Sequence, residues 1–428
     1  MKLKLPAELA AVACAAALAA TAAVAAPAAV LLRNGVIHTE GARGTLEGGS
    51  VLIVGGRVTA VGRDLVAPPG AEVIDLKGRP VTPSLFGGVG QFGVSEIEAE
   101  SSTNDGTLKL GQMRPEFDLS LAFNPDSVPL AVSRVEGIGF ALLAPGAEPG
   151  HKGAPGSSIL AGLGSVVRLD GRRPRAPVAL AVTVGEDAGP LAGESRAAAY
   201  MLLAQALEEA RAPGALAAGE PRLLTPAGRR VLKAVLAEQK PVVFSVDRAA
   251  DIRTVVEFAE REKLKAVVFG GAEAWRVAPL LARAQVAVVL DPLDDLPEQF
   301  DQIGATLENA ARLHAAGVTV VFSRRTPSPH DARKLRQAAG NAVAHGLPWD
   351  AALAALTSAP ARVFRATAEF GSIEAGHAAN LVVWSGDPLE VSSLVEASWL
   401  DGHRQSLRTR QTELRDRYLA KLRAGTAR

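Results

Sequence analysis

Seven histidines, one cysteine and an adjacent arginine pair are the residues whose chemistry depends most on what stands beside them. The histidines are His38, His151, His314, His330, His345, His377 and His403. No two stand one residue apart or at the i, i+4 spacing of a helix face, the spacings that aim paired imidazoles at one metal ion. Only His330 and His151 fall in loops that can reach a barrel mouth. Acids follow several apolar runs: Glu96, Asp105, Asp247, Glu273 and Asp291. Gathered at one mouth they would make an oxygen-only cation site, and scattered they are solvated loop charges. Arg324 and Arg325 carry charge at any working pH and would repel a divalent ion. Such a pair either clamps an anionic ligand or neutralises Asp247 or Asp291, and the internal salt bridge is the preferred reading. Gly88-Val89-Gly90-Gln91-Phe92-Gly93 spells G-x-G-x-x-G. The stretch after it lacks the helical periodicity of a dinucleotide site, so a cofactor is not expected there. No phosphate-binding G-x-x-x-x-G-K-[ST] and no G-x-S-x-G elbow occurs.

The elements that must position these residues are legible in the hydrophobic pattern. The chain has 428 residues, 48% hydrophobic and 21% charged, with a formal net charge of +1. That balance excludes a polyanion-binding or disordered polymer, so no nucleic-acid partner is expected. Residues 1–26 place two lysines before an alanine-rich apolar stretch that contains Cys14, the only cysteine. This has the form of a cleavable secretory signal and predicts export to the periplasm as a cysteine-free mature chain. No later run is long enough for a membrane span. Residues 27–80 and 366–404 alternate β-type runs with Gly and Asn-Gly turns, and read as one small antiparallel sheet built from both chain ends. Between them, over 81–365, short valine-rich runs such as KPVVFSV and KAVVFG alternate with amphipathic stretches such as AADIRTVVEFAEREK. That rhythm predicts an α/β fold, a (β/α)₈ TIM-like barrel with chemistry at the C-terminal strand ends. Residues 405–428, with Leu407, Leu414, Leu419 and Leu422 at helical spacing, read as a terminal helix packed on the surface.

The order LLRNGVIHT, SVLIVGGRVTAVG, AEVIDLKGRPVTPS, barrel, LTSAPARVF, GSIEAGHAANLVVWSGDP and WLDG resembles the amidohydrolase superfamily, most closely its exported imidazolonepropionase-like branch. The resemblance implies a (β/α)₈ barrel carrying a composite β-sandwich, and metal-dependent hydrolysis of non-peptide C–N bonds in cyclic amides. One or two divalent ions would activate water while an aspartate moves the proton.

Position by position, this chain departs from that pattern. The family's P-G-x-x-D-x-H-x-H aligns with residues 83–91, so Val89 and Gln91 occupy the histidine places and Gly87 the aspartate place. Ser245 stands where a histidine precedes D-R-A, here Asp247-Arg248-Ala249. Residues 268–273, ending at Glu273, offer no imidazole. Arg325 stands at the proton-shuttle aspartate. The candidate pocket is therefore Val89, Gln91, Ser245, Asp247, Arg248, Glu273, Arg324, Arg325 and His330, with no catalytic residue assigned and no cofactor expected. The leading expectation is a metal-free, catalytically impaired relative acting as a binding or partner subunit, in a homo-oligomer or beside a metal-competent paralogue. The alternative is a working amidohydrolase with an unconventional site, either metal-free or holding zinc or another divalent ion on oxygen ligands such as Asp105 and Asp291. A third expectation is a small anionic ligand at Arg324 and Arg325.

Overall fold

The computed structural model describes residues 29–97, 99–150, 155–212, 214 and 221–425. Residues 1–26, expected to direct export, and His151 lie outside them. Among the described residues no helix is long and apolar enough to cross a membrane.

Five strands open the chain: β1 (Ala29–His38), β2 (Thr45–Val54), β3 (Arg57–Gly62), β4 (Glu72–Asp75) and β5 (Pro80–Pro83). Gly55 and Gly56 join β2 to β3, both at positive φ, the backbone that a two-residue hairpin loop requires. After the barrel come β14 (Leu381–Trp384), β15 (Val395–Leu400) and β16 (His403–Arg404). The two groups join where β5 pairs with β14, so one sheet runs β16-β15-β14-β5-β1-β2-β3, with β4 beside β1. The sheet is mixed rather than antiparallel throughout, because β4 and β5 both return alongside β1 in the parallel sense. Its core is aliphatic and closed by Trp399.

The second sheet holds β6 (Leu85–Gly90), β7 (Ile138–Leu143), β8 (Leu160–Arg168), β9 (Ala179–Thr183), β10 (Pro241–Val246), β11 (Lys265–Gly270), β12 (Ala287–Leu290) and β13 (Val320–Phe322), paired in chain order. It is a nearly closed eight-stranded barrel. The gap between β13 and β6 is bridged by the Val89 backbone N–H donating to Ser323 Oγ at 2.9 Å. Gly88 sits at that seam with φ +92, and an added Cβ would lie 2.9 Å from Ser323 Oγ. The G-x-G run is thus strand and seam, not a nucleotide turn. One strand departs from the all-parallel expectation: β8 is antiparallel to both β7 and β9. An antiparallel neighbour needs no crossover helix, and accordingly, among the described residues, no α-helix joins β7 to β8 or β8 to β9.

Strand alternation sorts the core into two layers. On β10, Val242, Phe244 and Val246 face outward to the helices, while Val243 faces the barrel axis. The outer layer is covered by helices such as α1 (Arg196–Arg211), α2 (Pro226–Ala237) and α3 (Ala249–Glu262). Ser195 and Thr225 cap the first two by accepting from the Ala198 and Gly228 backbone N–H groups. On α3, Ile252, Val255, Val256 and Ala259 form the buried stripe. The axial layer is plugged at the bottom: Phe86 stacks on Phe364 and Phe140 on Phe370. At the top the axial positions become smaller and more polar, and a cavity opens.

The terminal helix α4 (Arg410–Gly425) forms, but it is not packed down as its leucine spacing suggests. Leu407 and Leu414 are half-buried, whereas Leu419 and Leu422 are exposed.

Candidate functional site

The cavity measures about 250 Å³ and opens at the C-terminal ends of the barrel strands. Val89, Ser245, Asp247 and Arg325 line it, as do Thr183, Glu186, Asp187, Phe269, Gln299 and Asp301. Inward-facing Val243 and Ser245 come from alternate positions of β10, and Thr183 is the register partner of Ser245 on β9.

Arg325 dominates the electrostatics. Its guanidinium makes a bidentate pair with Asp247, Nη1 to Oδ2 at 2.9 Å and Nη2 to Oδ1 at 3.0 Å. It also donates to Asp294 Oδ2 from Nη2 at 2.7 Å and from Nε at 3.2 Å. Burial alone would lower the guanidinium's pKa, but the bonds to Asp247 and the charges of Asp247 and Asp294 raise it. Asp247 is also fixed by the Gln302 amide at 3.1 Å and the Ala272 N–H at 3.0 Å. Arg324 donates to Asp291 at 2.8 Å, and Asp291 accepts the Arg325 backbone N–H as well. Arg325 is therefore tied up internally, whereas Arg324 is held through Nη1 alone, its Nε has no partner among the described residues, and it lies off the cavity wall.

Acids exceed accessible cations around the mouth. Burial raises the pKa of Asp294, with Asp291 and Asp247 adding to it and Arg325 opposing. Asp187 stands at the exposed rim, and the protein packed around its carboxyl raises its pKa, helped by Asp247 and Glu186. Its Oδ1 accepts from Gln299 at 3.2 Å. Asp301 is compensated by a bidentate pair with Arg196 at 2.8 and 2.9 Å.

Other expected pocket residues lie elsewhere. Gln91 is buried with its amide packed over Gly106, off the cavity wall. Arg248 pairs with Asp251. Glu273 ties loops together by accepting from the Ala249 and Gly304 N–H groups, each at 3.0 Å. His330 Nε2 donates to the Glu96 carbonyl at 3.2 Å. Asp105 is exposed in a loop and Asp291 is bound to Arg324, so the two do not form an oxygen-only site. Glu186 and Asp187 were discoverable, because they directly follow the apolar run VALAVTVG. Gln299 and Asp301 come from the long loop after β12 and carry no sequence signal.

Among the described residues no group of three or more His, Cys, Asp or Glu side chains is placed to hold a metal. The cavity wall fits one poorly on its chemistry: an alkyl group at Val89, a hydroxyl at Ser245 and a permanent cation at Arg325.

Residues 271–407 match the model of the amidohydrolase family. That match spans the last barrel strands and the strands that return to the first sheet. A 93-residue segment is 36% identical to the amidohydrolase tasK of Hapsidospora irregularis, covering 22% of this chain and only 9% of that protein. The whole architecture is the amidohydrolase barrel with its accompanying sheet. An amidohydrolase from Thermotoga maritima superposes with a TM-score of 0.77 at 24% identity, covering 89% of this chain and all of the other. Molinate hydrolase superposes at 0.54 and 15% identity, covering 89% of this chain and 95% of the other. At these identities the likeness establishes the fold.

Proposed function

We propose that this chain is a metal-free amidohydrolase relative that has given up the family hydrolysis and works as a binding or partner subunit. The observation that carries the reading is the Arg325 guanidinium between Asp247 and Asp294 at the barrel mouth. Where the resemblance expects a carboxylate to shuttle protons beside a metal-bound water, this chain has a group that neither gives up its proton nor tolerates a dication nearby. The histidine places are filled by Val89 and Gln91, and Gln91 is not on the cavity wall. The resemblance to exported imidazolonepropionase-like proteins and the alanine-rich start support a periplasmic setting, with a metal-competent paralogue as partner.

Elemental analysis of protein purified from its native host without chelators tests the metal-free reading. Zinc, manganese and iron should each be far below one equivalent, and a near-stoichiometric amount of any of them would overturn it. Co-purification from the same host tests the subunit reading: a paralogue should travel with the chain, and a strict monomer contradicts that part. Val89→His with Gln91→His should yield no amide hydrolysis while Arg325 is present, and turnover in that double variant would locate the obstacle elsewhere.

A further inference from the structure

The cavity wall carries polar groups with nothing to bond to. Thr183 is 7% exposed and Ser245 is half-buried, and both face inward from adjacent strands. Among the described residues neither hydroxyl has a hydrogen-bond partner in the protein, yet both line the cavity. Neither oxygen is sealed from the cavity, so each takes its hydrogen bond from whatever the cavity holds. Around the hydroxyls the wall is apolar, from Val89, Ala144, Ala161, Ala181, Val243 and Phe269.

The charges point the same way. Among the described residues Arg325 is the only cationic side chain on the lining, and Asp247 and Asp294 saturate it. Asp301 has Arg196. Glu186 accepts the Asp301 backbone N–H and Asp187 accepts the Gln299 amide, but among the described residues neither acid has a cation at ion-pair distance. The site thus combines an apolar slot, two hydroxyls without a protein partner and, among the described residues, two rim carboxylates without an ion pair. Its size, below that of a drug-sized pocket, suits a single ring or short chain.

We propose that this cavity binds a small organic monocation, an amidinium or alkylammonium with an apolar body. Its charged end lies at Asp187 and Glu186 and its polar edge at Thr183 and Ser245. The proposal rests on the reading that no divalent ion occupies the mouth, and it reverses the expectation of an anionic ligand at Arg324 and Arg325.

Three molecules of one shape and different charge test it: benzamidinium, benzamide and benzoate, titrated calorimetrically into full-length protein whose metal content has been measured. Benzamidinium should bind at least about tenfold more tightly than benzoate, with benzamide between them. Asp187→Asn should weaken benzamidinium about tenfold and leave benzamide nearly unchanged. Thr183→Val, an isosteric change, should weaken both benzamidinium and benzamide about threefold. Cooperative melting at a temperature no lower than that of the wild type establishes that each variant folds, and should Asp187→Asn fail to fold, Thr183→Val decides alone. Benzoate binding as well as benzamidinium, or benzamidinium binding that neither variant alters, overturns the proposal. In metal-free protein, failure to bind benzamidinium sinks this inference alone, whereas a stoichiometric metal sinks the parent reading and this one with it.

Discussion

The two ends of the barrel solve the same problem, buried charge, in opposite ways. At the bottom, Arg168 bridges Asp170 at 2.9 Å and Glu369 at 2.6 Å and lies over the Phe370 ring. Arg172 reaches Asp401 and Arg175 reaches Glu369, so Asp170, Glu369 and Asp401 each have an arginine partner. Burial would raise the Asp170 pKa, but Arg168 and Arg172 hold it below the ordinary aspartate value. At the mouth the balance inverts: Asp187 and Asp294 are held above that value, and one guanidinium serves two carboxylates. The bottom is arranged for stability. The mouth keeps unfavourable charge and unpaired hydroxyls, the pattern of a face that binds something.

Removing Arg325, the only lining cation of the mouth among the described residues, should produce the largest effect. Arg325→Met leaves Asp247 buried beside Asp294 without compensation, and urea unfolding should show a loss of roughly 3–5 kcal/mol. A loss below about 1 kcal/mol would mean the pair is not the mouth's keystone. At the bottom, Arg168→Ala should cost roughly 2–3 kcal/mol at neutral pH, part of it lost packing on Phe370. Because the folded-state pKa of Asp170 lies below its unfolded value, its contribution is complete above about pH 3.9 and fades as pH falls through the depressed value. The Arg168→Ala deficit should therefore shrink in acid. At the mouth the sign reverses: Asp187 and Asp294, with raised pKa values, oppose folding more as pH rises through them, so Asp187→Asn should stabilise slightly at neutral pH and not below about pH 3.9.

Three further variants lie off both ends and calibrate the comparison. Gly88→Ala at the seam should cost about 1–2 kcal/mol from its left-handed backbone, with the Ser323 contact adding to that. Leu419→Ala and Leu422→Ala on the exposed terminal helix should stay within about 0.5 kcal/mol of the parent. A larger cost at those leucines would reveal a packed face.

Legibility in the sequence followed the reach of each signal. Valine-rich runs and helical periodicity report local burial, so the barrel and the second sheet could be read directly. The reversal of β8 could not, because ILAGLGSVVRL is equally apolar whichever way the strand runs. Ser245, Asp247 and Arg325 were found as residues at strand ends, and the resemblance supplied their positions. Gln91 and Glu273 stand near strand ends too, but their side chains turn into loop packing, which depends on partners such as Gly106 and Gly304 far along the chain. Gln299 and Asp301 reach the cavity through loop folding alone. The leucine spacing of the last helix described an amphipathic face without stating that anything covers it.

A calorimetric zinc titration of the chelator-treated chain tests most directly whether an internal guanidinium stands in for a metal at the mouth. The wild-type protein should bind no zinc at the barrel mouth, giving no saturable heat and no rise in melting temperature with added zinc. Saturable binding of one equivalent, accompanied by a higher melting temperature and abolished by Asp247→Asn, would contradict it.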